Sequence, residues 1–555
     1  MSNNSDLEIA SDESDYEEEG QQEVQKTDGP IKITHKLLRK WEEQIQTDRS
    51  TQIIKTVVEV FHATLESVET VKVHTKKEIL GGASTDTDNN KVAKYKVEGA
   101  AIFNGVIQLC MTQLPGAFNR FLNLNDENKY KCHKAKRFPK IKGTLKSYLS
   151  NLIKLLKSVT SSNVIGGLLK HLHAMIPFTL AFSSLQKPLM KVILSFWSSS
   201  NSETVRVVAF MNILKIAVHQ KSPAFFHTLL KTMYIEYVKT SKFVSPNTVS
   251  AINFMRRSLA EIYLLHTDIA YHNAFMYIRQ LAILLRNALT LKKQEHFQAI
   301  NNWQYINSLW FWAHLIPQAK KDTLLRGLEY PLVQVIIGVV NVIPTSQYYP
   351  LRFHCARMLT TLSKNANLYI PTLPLLTQIL EEYDFNKKHK IVSMKPMSLT
   401  TVLRASKSQL SENGFKDALI ENIYELVLEI TAIESHRAYF PDFVLQLNIK
   451  LRAFHKKCRV ANYSRKIKQL LEKIEENSRF IMSERATVTL NLKNTAEVEA
   501  WEKKMLEVGT PLNKFFESWN RVQKVQKRKR ITENEENAAE FKMPQLKKKK
   551  KLAEE

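Results

Sequence analysis

Cys132-His133, and His171 with His173 around Leu172, are the nearest approach to a metal-ligand or nucleophile pattern in these 555 residues. Neither has a second pair at the short spacing from which a tetrahedral zinc site is built, so both read as packing or surface residues. The sequence contains no glycine-rich phosphate loop, no HExxH helix and no nucleophile elbow. Its four cysteines, Cys110, Cys132, Cys355 and Cys458, stand far apart, as small core residues of a reducing compartment do. No catalytic residue, cofactor or metal ligand is therefore assigned, and the chain reads as a binder rather than an enzyme.

The chemistry the chain does offer is clustered positive charge. Lys129, Lys131, Lys134, Lys136, Arg137, Lys140, Lys142 and Lys146 are interleaved with Tyr130, Phe138 and Tyr148. Cations on a loop can follow a phosphate backbone while neighbouring aromatics stack on unpaired bases, which makes this run a candidate RNA contact. The competing reading is a solvated loop with its aromatics tucked into a core. Ten more basic residues lie between Lys450 and Arg479, among which Arg459, Arg465, Lys466 and Lys468 are further RNA-contact candidates. Lys527-Arg528-Lys529-Arg530 and the run Lys547, Lys548, Lys549, Lys550 and Lys551 have the form of nuclear import signals, a form shared by any lysine-rich tail. At the other end, residues 1–25 carry nine acidic side chains and no basic one. Ser5 and Ser14 each have a Glu three positions later, the context acid-directed kinases prefer. Such a segment can solubilise, regulate, or compete with RNA for the chain's own basic surface.

The elements that must position these groups read as helices. Only 14 Gly and 17 Pro occur, too few turn residues for a sandwich, a barrel or a doubly wound sheet. Apolar stripes recur at helical spacing: Val205, Ala209, Ile213 and Ile216; Leu351, Cys355, Met358, Leu359 and Leu362; Ile467, Leu470, Leu471, Ile474 and Ile481. Ser222-Pro223, Ser245-Pro246, Tyr349-Pro350 and Ile370-Pro371 place prolines at expected first turns. Short breaks between amphipathic helices predict stacked antiparallel pairs, an all-α, degenerate HEAT/armadillo-like helical-repeat solenoid with disordered charged tails. The expected divisions are an acidic disordered tail over 1–29, amino-terminal helices over 30–75, a linker over 76–97, the solenoid over 98–482, and an extended basic tail over 483–555. His389 to Lys407 reads as an extended strap laid along the helices. The longest apolar stretch, Pro331 to Pro344, is shorter than the roughly twenty residues of a bilayer span and reads as a buried helix, so no membrane is expected. Overall, 80 Lys and Arg against 54 Asp and Glu give a formal charge of +26, which favours nucleic acid or an acidic protein as partner.

Several long segments resemble the nucleolar complex protein 2 family. The closest runs from Tyr439-Phe440-Pro441-Asp442-Phe443 through Lys456-Lys457-Cys458-Arg459-Val460-Ala461-Asn462-Tyr463 into Lys468-Gln469-Leu470-Leu471-Glu472. Upstream, Leu351-Arg352-Phe353-His354-Cys355-Ala356-Arg357, Tyr369-Ile370-Pro371 and Leu403-Arg404-Ala405-Ser406-Lys407 are similar to the same family. The likeness covers roughly residues 100–485. It implies a non-enzymatic helical-repeat factor of large (60S) ribosomal subunit biogenesis in the nucleus, nucleolus and nucleoplasm. The partners it implies are nucleolar complex protein 1 and nucleolar complex protein 3 homologues, precursor large-subunit rRNA and pre-60S particle proteins, with histones added for some animal members. Arg352, Phe353, Arg357, Arg404, Lys407, Tyr439, Phe440, Lys457, Asn462 and Tyr463 are carried over as scaffold or partner-contact positions. Two rival readings stand beside it: a nuclear transport receptor or adaptor, against which the strongly basic charge argues, and a chromatin or histone-binding regulator.

Overall fold

The computed structural model describes residues 31–47, 50–80, 94–125, 128–220, 222–387, 397–488 and 494–540. Residues 1–29, Ser5 and Ser14 among them, and Lys547–Lys551 lie outside these. Within the described residues the chain is helical almost throughout, as the scarcity of turn residues requires, and it divides into two units at Val192/Ile193.

In the first unit, β1 (Ile31–Lys32) pairs in parallel with β2 (Tyr95–Lys96), and the helices are α1 (His35–Thr47), α2 (Thr51–Leu80), α3 (Ala100–Leu122), α4 (Phe138–Ser158) and α5 (Ser162–Thr179). The division falls inside α6 (Ser183–Ser199). The amino-terminal helices, which the sequence left free to join the array or to dock elsewhere, pack on the helices that follow: α1 on α3, and α2 on both α3 and α4. The stripe Ile54, Val57, Val58 and Phe61 is buried and drives this. Helix α2 also continues to Leu80, into the expected linker, and the far end of that linker is tied back where the Ile31 N–H donates to the Lys94 carbonyl at 2.9 Å.

The second unit comprises α7 (Glu203–His219), α8 (Pro223–Thr240), α9 (Pro246–Leu264), α10 (Thr267–Leu291), α11 (Gln294–Ile300), α12 (Trp303–Leu315), α13 (Glu329–Val342), α14 (Tyr349–Ala366), α15 (Leu373–Glu382), α16 (Lys407–Leu410), α17 (Asn413–Ile433), α18 (Phe440–Phe443), α19 (Leu445–Lys457), α20 (Ala461–Ala486), α21 (Thr495–Val508) and α22 (Pro511–Glu540). Pro223 and Pro246 open their helices, Pro350 lies in the first turn of α14, and Ser245 with Thr248 forms a reciprocal capping box on α9. Pro371 instead falls before α15, whose first turn holds Pro374. Packing follows chain order: α8 on α9, α12 on α9 and α14, α13 on α14, α14 on α17, α17 on α20. This is an all-α helical-repeat arrangement of degenerate sequence, and the stripe residues Ala209, Ile213, Cys355, Met358, Ile467 and Leu470 are fully buried in it. Leu324–Val342 is the one described helical run whose length and apolar content match a membrane span; its Leu332, Ile336 and Val339 pack into the core.

At the carboxyl side one segment follows expectation over its described residues and another departs from it. Of the strap, residues 397–406 are non-helical, as expected, and lie along α14 and the turn before it: the Ala405 N–H donates to the Gln347 carbonyl at 2.8 Å in that turn, and the His354 ring of α14 meets the Val402 carbonyl at 3.2 Å. The tail from residue 483, expected to be extended apart from one candidate short helix around Val498 to Met505, carries that helix as α21 and a second, α22, beyond it. Trp501 and Met505, one turn apart on α21, and Leu512 on α22 join the core formed by α14, α17 and α20. Val498 on α21 and Phe515, Phe516 and Trp519 on α22 pack beside them, so that Leu512, Phe515, Phe516 and Trp519 present one apolar face to the core. Gly509, at φ +77, makes the turn between α21 and α22 that an L side chain would strain.

Candidate nucleic-acid interface

Helix α4 has a sharp division of faces. Ile141, Leu145, Tyr148, Leu152 and Leu156 are buried, whereas Lys140, Lys142, Lys146, Lys154 and Lys157 are exposed. A 3-10 turn at Lys129–Lys134 leads into it, with Lys131, Lys134, Lys136 and Arg137 exposed and Lys129 half-buried. None of these cations has an ion pair among the described residues. The sequence explains why: no Asp or Glu occurs anywhere between Asn128 and Ser202. With the nearest carboxylates in sequence confined to Asp126-Glu127, before this run, and no ion pair formed along α4 among the described residues, its charges are available to an external anion.

The interleaved aromatics are not available to stack on bases, contrary to the role first expected of them. Phe138 is buried with its ring 6.1 Å from that of Phe182. Tyr148 is buried with its ring 5.1 Å from Phe61, and its hydroxyl lies 2.7 Å from His171 Nε2. His171 Nδ1 lies 3.1 Å from the Met111 carbonyl, which requires Nδ1–H as donor and leaves Nε2 to accept from Tyr148. Burial lowers the His171 pKa to about 4, so the ring is neutral and structural. Cys132 is likewise buried, its thiol pushed up to about 11 by burial, and it is unsuited to metal or redox chemistry. The ring that remains half-buried in this run is Tyr130.

Beside the cationic face, a groove of about 670 Å³ runs between α2 and α4. On α4 its wall is Gly143, Thr144 and Ser147; on α2 it is Lys55, Val58, Glu59, His62, Ala63 and Glu66, with Lys94 and Tyr95 at one end. The Phe61–Tyr148 contact holds the helices apart here, and the small residues of α4 leave the space unfilled. Lys94 lies 3.9 Å from Glu59, and His62 lies 3.3 Å from Glu66. Burial and the Glu59 carboxylate raise the Tyr95 pKa, so its hydroxyl stays protonated. Sequence reading missed this groove; its one signal was three small residues sharing a face of a helix otherwise rich in Leu and Lys.

The basic cluster of α19 and α20 is different in kind. Lys450 pairs with Glu381 at 3.1 Å, Arg452 with Glu475 at 2.6 Å, Lys473 with Glu476 at 2.8 Å, Lys468 with Glu472 at 3.8 Å, and Lys466 with Glu421. Of the four RNA-contact candidates there, Arg459 and Arg465 are exposed and have no ion pair among the described residues. Alternating Glu positions along α20 hold much of this charge internally.

The residues carried over by resemblance largely hold the second unit together. Phe353 and Phe440 are core. Arg352, buried, reaches Gln378 at 3.3 Å; Arg357 donates to Asn422 at 2.7 Å and Glu425 at 3.2 Å; Arg404 donates to Gln347 at 3.1 Å. The Tyr439 hydroxyl donates to Glu434 at 2.7 Å and that of Tyr463 to Asp417 at 2.5 Å. Lys407, Lys457 and Asn462 are exposed. Of the basic four-mer at 527–530, which lies within α22, Lys529 is exposed.

Residues 224–519 match the model of the Noc2p family. Nucleolar complex protein 2 of Drosophila melanogaster is 44% identical over 546 residues, covering 98% of this chain and 70% of that protein. A NOC2 family protein of Schizosaccharomyces pombe is 27% identical over 540 residues, covering 96% and 73%. Nucleolar complex-associated protein 2 of Arabidopsis thaliana is 29% identical over 441 residues, covering 78% and 57%. The cationic face of α4 lies outside the segment matched by the family model.

Proposed function

Since the chain belongs to the Noc2p family, we propose that it is a non-enzymatic scaffold in the assembly of the large (60S) ribosomal subunit, holding precursor rRNA and partner proteins together. The names of its relatives support a place in the nucleolus. Movement on to the nucleoplasm, with nucleolar complex protein 1 and nucleolar complex protein 3 homologues as successive partners, completes the reading.

The observation that carries it is the exposed cationic face of α4, whose lysines have no ion pair among the described residues and no Asp or Glu within their own helix. Such a face binds phosphate without performing chemistry on it: each contacted phosphate releases condensed counterions, and the helix array supplies a fixed spacing for the contacts. The α19–α20 cluster, half of whose basic residues are paired within the protein, contributes to scaffold cohesion, with Arg459 and Arg465 left for RNA.

Affinity purification of the chain from nuclear extract tests the reading. Precursor large-subunit rRNA with ribosomal proteins should dominate and should be lost on RNase treatment. Recovery of pore proteins with a small GTPase, or of histones in a DNase-sensitive fraction without precursor rRNA, would overturn it.

A further inference from the structure

We propose that the groove between α2 and α4 receives an unpaired nucleotide of a single-stranded RNA whose backbone lies along the lysines of α4. The inference rests on the RNA reading above and names the form of RNA that the site takes.

The argument starts from helix geometry. Lys140, Gly143, Thr144 and Ser147 fall at i, i+3, i+4 and i+7 and therefore share one face, so Lys140 stands one turn before the groove's α4 wall, and Lys146 lies three residues beyond Gly143. A phosphate held at either lysine sits at the groove's edge. The space, about 670 Å³, exceeds what one nucleotide needs, and it is not built for a purely anionic occupant: Glu59 and Glu66 lie on its α2 wall opposite Thr144 and Ser147. An acidic peptide would be repelled there. A nucleotide has both parts the site asks for, an anionic backbone for the lysines outside and a neutral base for the polar walls inside. Carboxylates accept from exocyclic amino and ring N–H groups of bases, while Lys55, Lys94 and the Tyr95 hydroxyl donate to ring nitrogens and carbonyls. A paired duplex cannot deliver a base to such a groove without opening, so single strands and loops are selected.

Gly143 supplies a clean test. A Cβ built there meets nothing within 4 Å, and its backbone is ordinary helix. Gly143→Leu combined with Ser147→Leu fills the groove, removes no charge, and improves helix propensity at 143. Binding of the full chain to a fluorescent single-stranded oligonucleotide and to a duplex of equal length is measured against salt, with circular dichroism and thermal melting to confirm folding. The filled variant should bind the single strand about tenfold more weakly with an unchanged salt slope, and the duplex as the unaltered protein does. A folded variant that keeps full affinity for the single strand, or an unaltered protein that does not prefer single strand to duplex, overturns the proposal. A second variant, Lys136, Lys140, Lys142 and Lys146 all changed to Gln, separates the two readings. If it also binds RNA as before, the RNA reading of α4 fails; if it alone loses affinity, that reading stands and the groove is not the base site.

Discussion

The guanidinium of Arg437 lies 2.7 Å from Glu502 and 3.6 Å from Glu434, and it also donates to Asn367. Both carboxylates are nearly buried, and Glu502 further accepts the Ala438 N–H at 3.1 Å. Removing one partner of a buried pair strands the other charge, so Arg437→Ala should cost about 3 kcal/mol, read as a lower urea midpoint. An unchanged midpoint would show the pair to be solvated. Nothing in the sequence joins residue 437 to residue 502, because an ion pair between distant segments has no period. The buried histidines permit a pH test. Burial holds His171 and His354 at about 4, helped at His354 by the neighbouring Arg357. An unfolded imidazole takes its proton near pH 6.5. Between pH 6.5 and 4 the unfolded chain therefore binds more protons: stability is complete above 6.5, falls as pH drops toward 4, and changes no further below that on account of these groups. The loss is about 3 kcal/mol at most per ring. The urea midpoint followed from pH 7 to 4 checks this, and His171→Gln should flatten the profile.

At the scale of elements, the helices that carry dense apolar stripes were legible. The stripe of α7, at steps of four, four and three, is buried as its spacing requires, and prolines marked the starts of α8, α9 and α14. Helices α21 and α22 were not recognised as part of the body: α21 offers only Val498, Trp501 and Met505, and the stripe Leu512, Phe515, Phe516 and Trp519 of α22 is legible as a helix face but leads into a lysine-rich run that reads as tail. The same is true of Phe138 and Tyr148: alternating Lys and aromatic residues describe a stacking loop as well as an amphipathic helix entry, and only the neighbours Phe61, His171 and Phe182 decide between them. If α21 is a structural member, Trp501→Ala should lower the stability of the second unit by about 3–5 kcal/mol, measured by chemical denaturation. A loss within experimental scatter would restore the reading of this region as a mere tail.

At the scale of the whole molecule, a formal charge of +26 says polyanion but not where. Position becomes visible from how the carboxylates are distributed: none falls inside the first basic cluster, whereas Glu472, Glu475 and Glu476 are interleaved in the second and meet part of its charge. The contrast predicts unequal salt responses. Changing Lys136, Lys140, Lys142 and Lys146 to Gln should reduce the log–log salt slope of single-stranded RNA binding by about 0.7 for each contact removed. Changing Lys450, Arg452, Lys468 and Lys473 to Gln should leave the slope nearly unaltered and lower stability instead. Equal slope changes in the two variants would contradict the assignment.

The carboxylate-free stretch around α4 and α5 also makes the chain its own reporter. Carbodiimide joins an amine to a carboxylate with no spacer, and between Asn128 and Ser202 there is no side-chain carboxylate to join. Any zero-length amide formed from Lys140 or Lys146 must therefore end on a distant segment or on another molecule, so each such crosslink recovered from a native particle identifies a neighbour of this face rather than an adjacent turn.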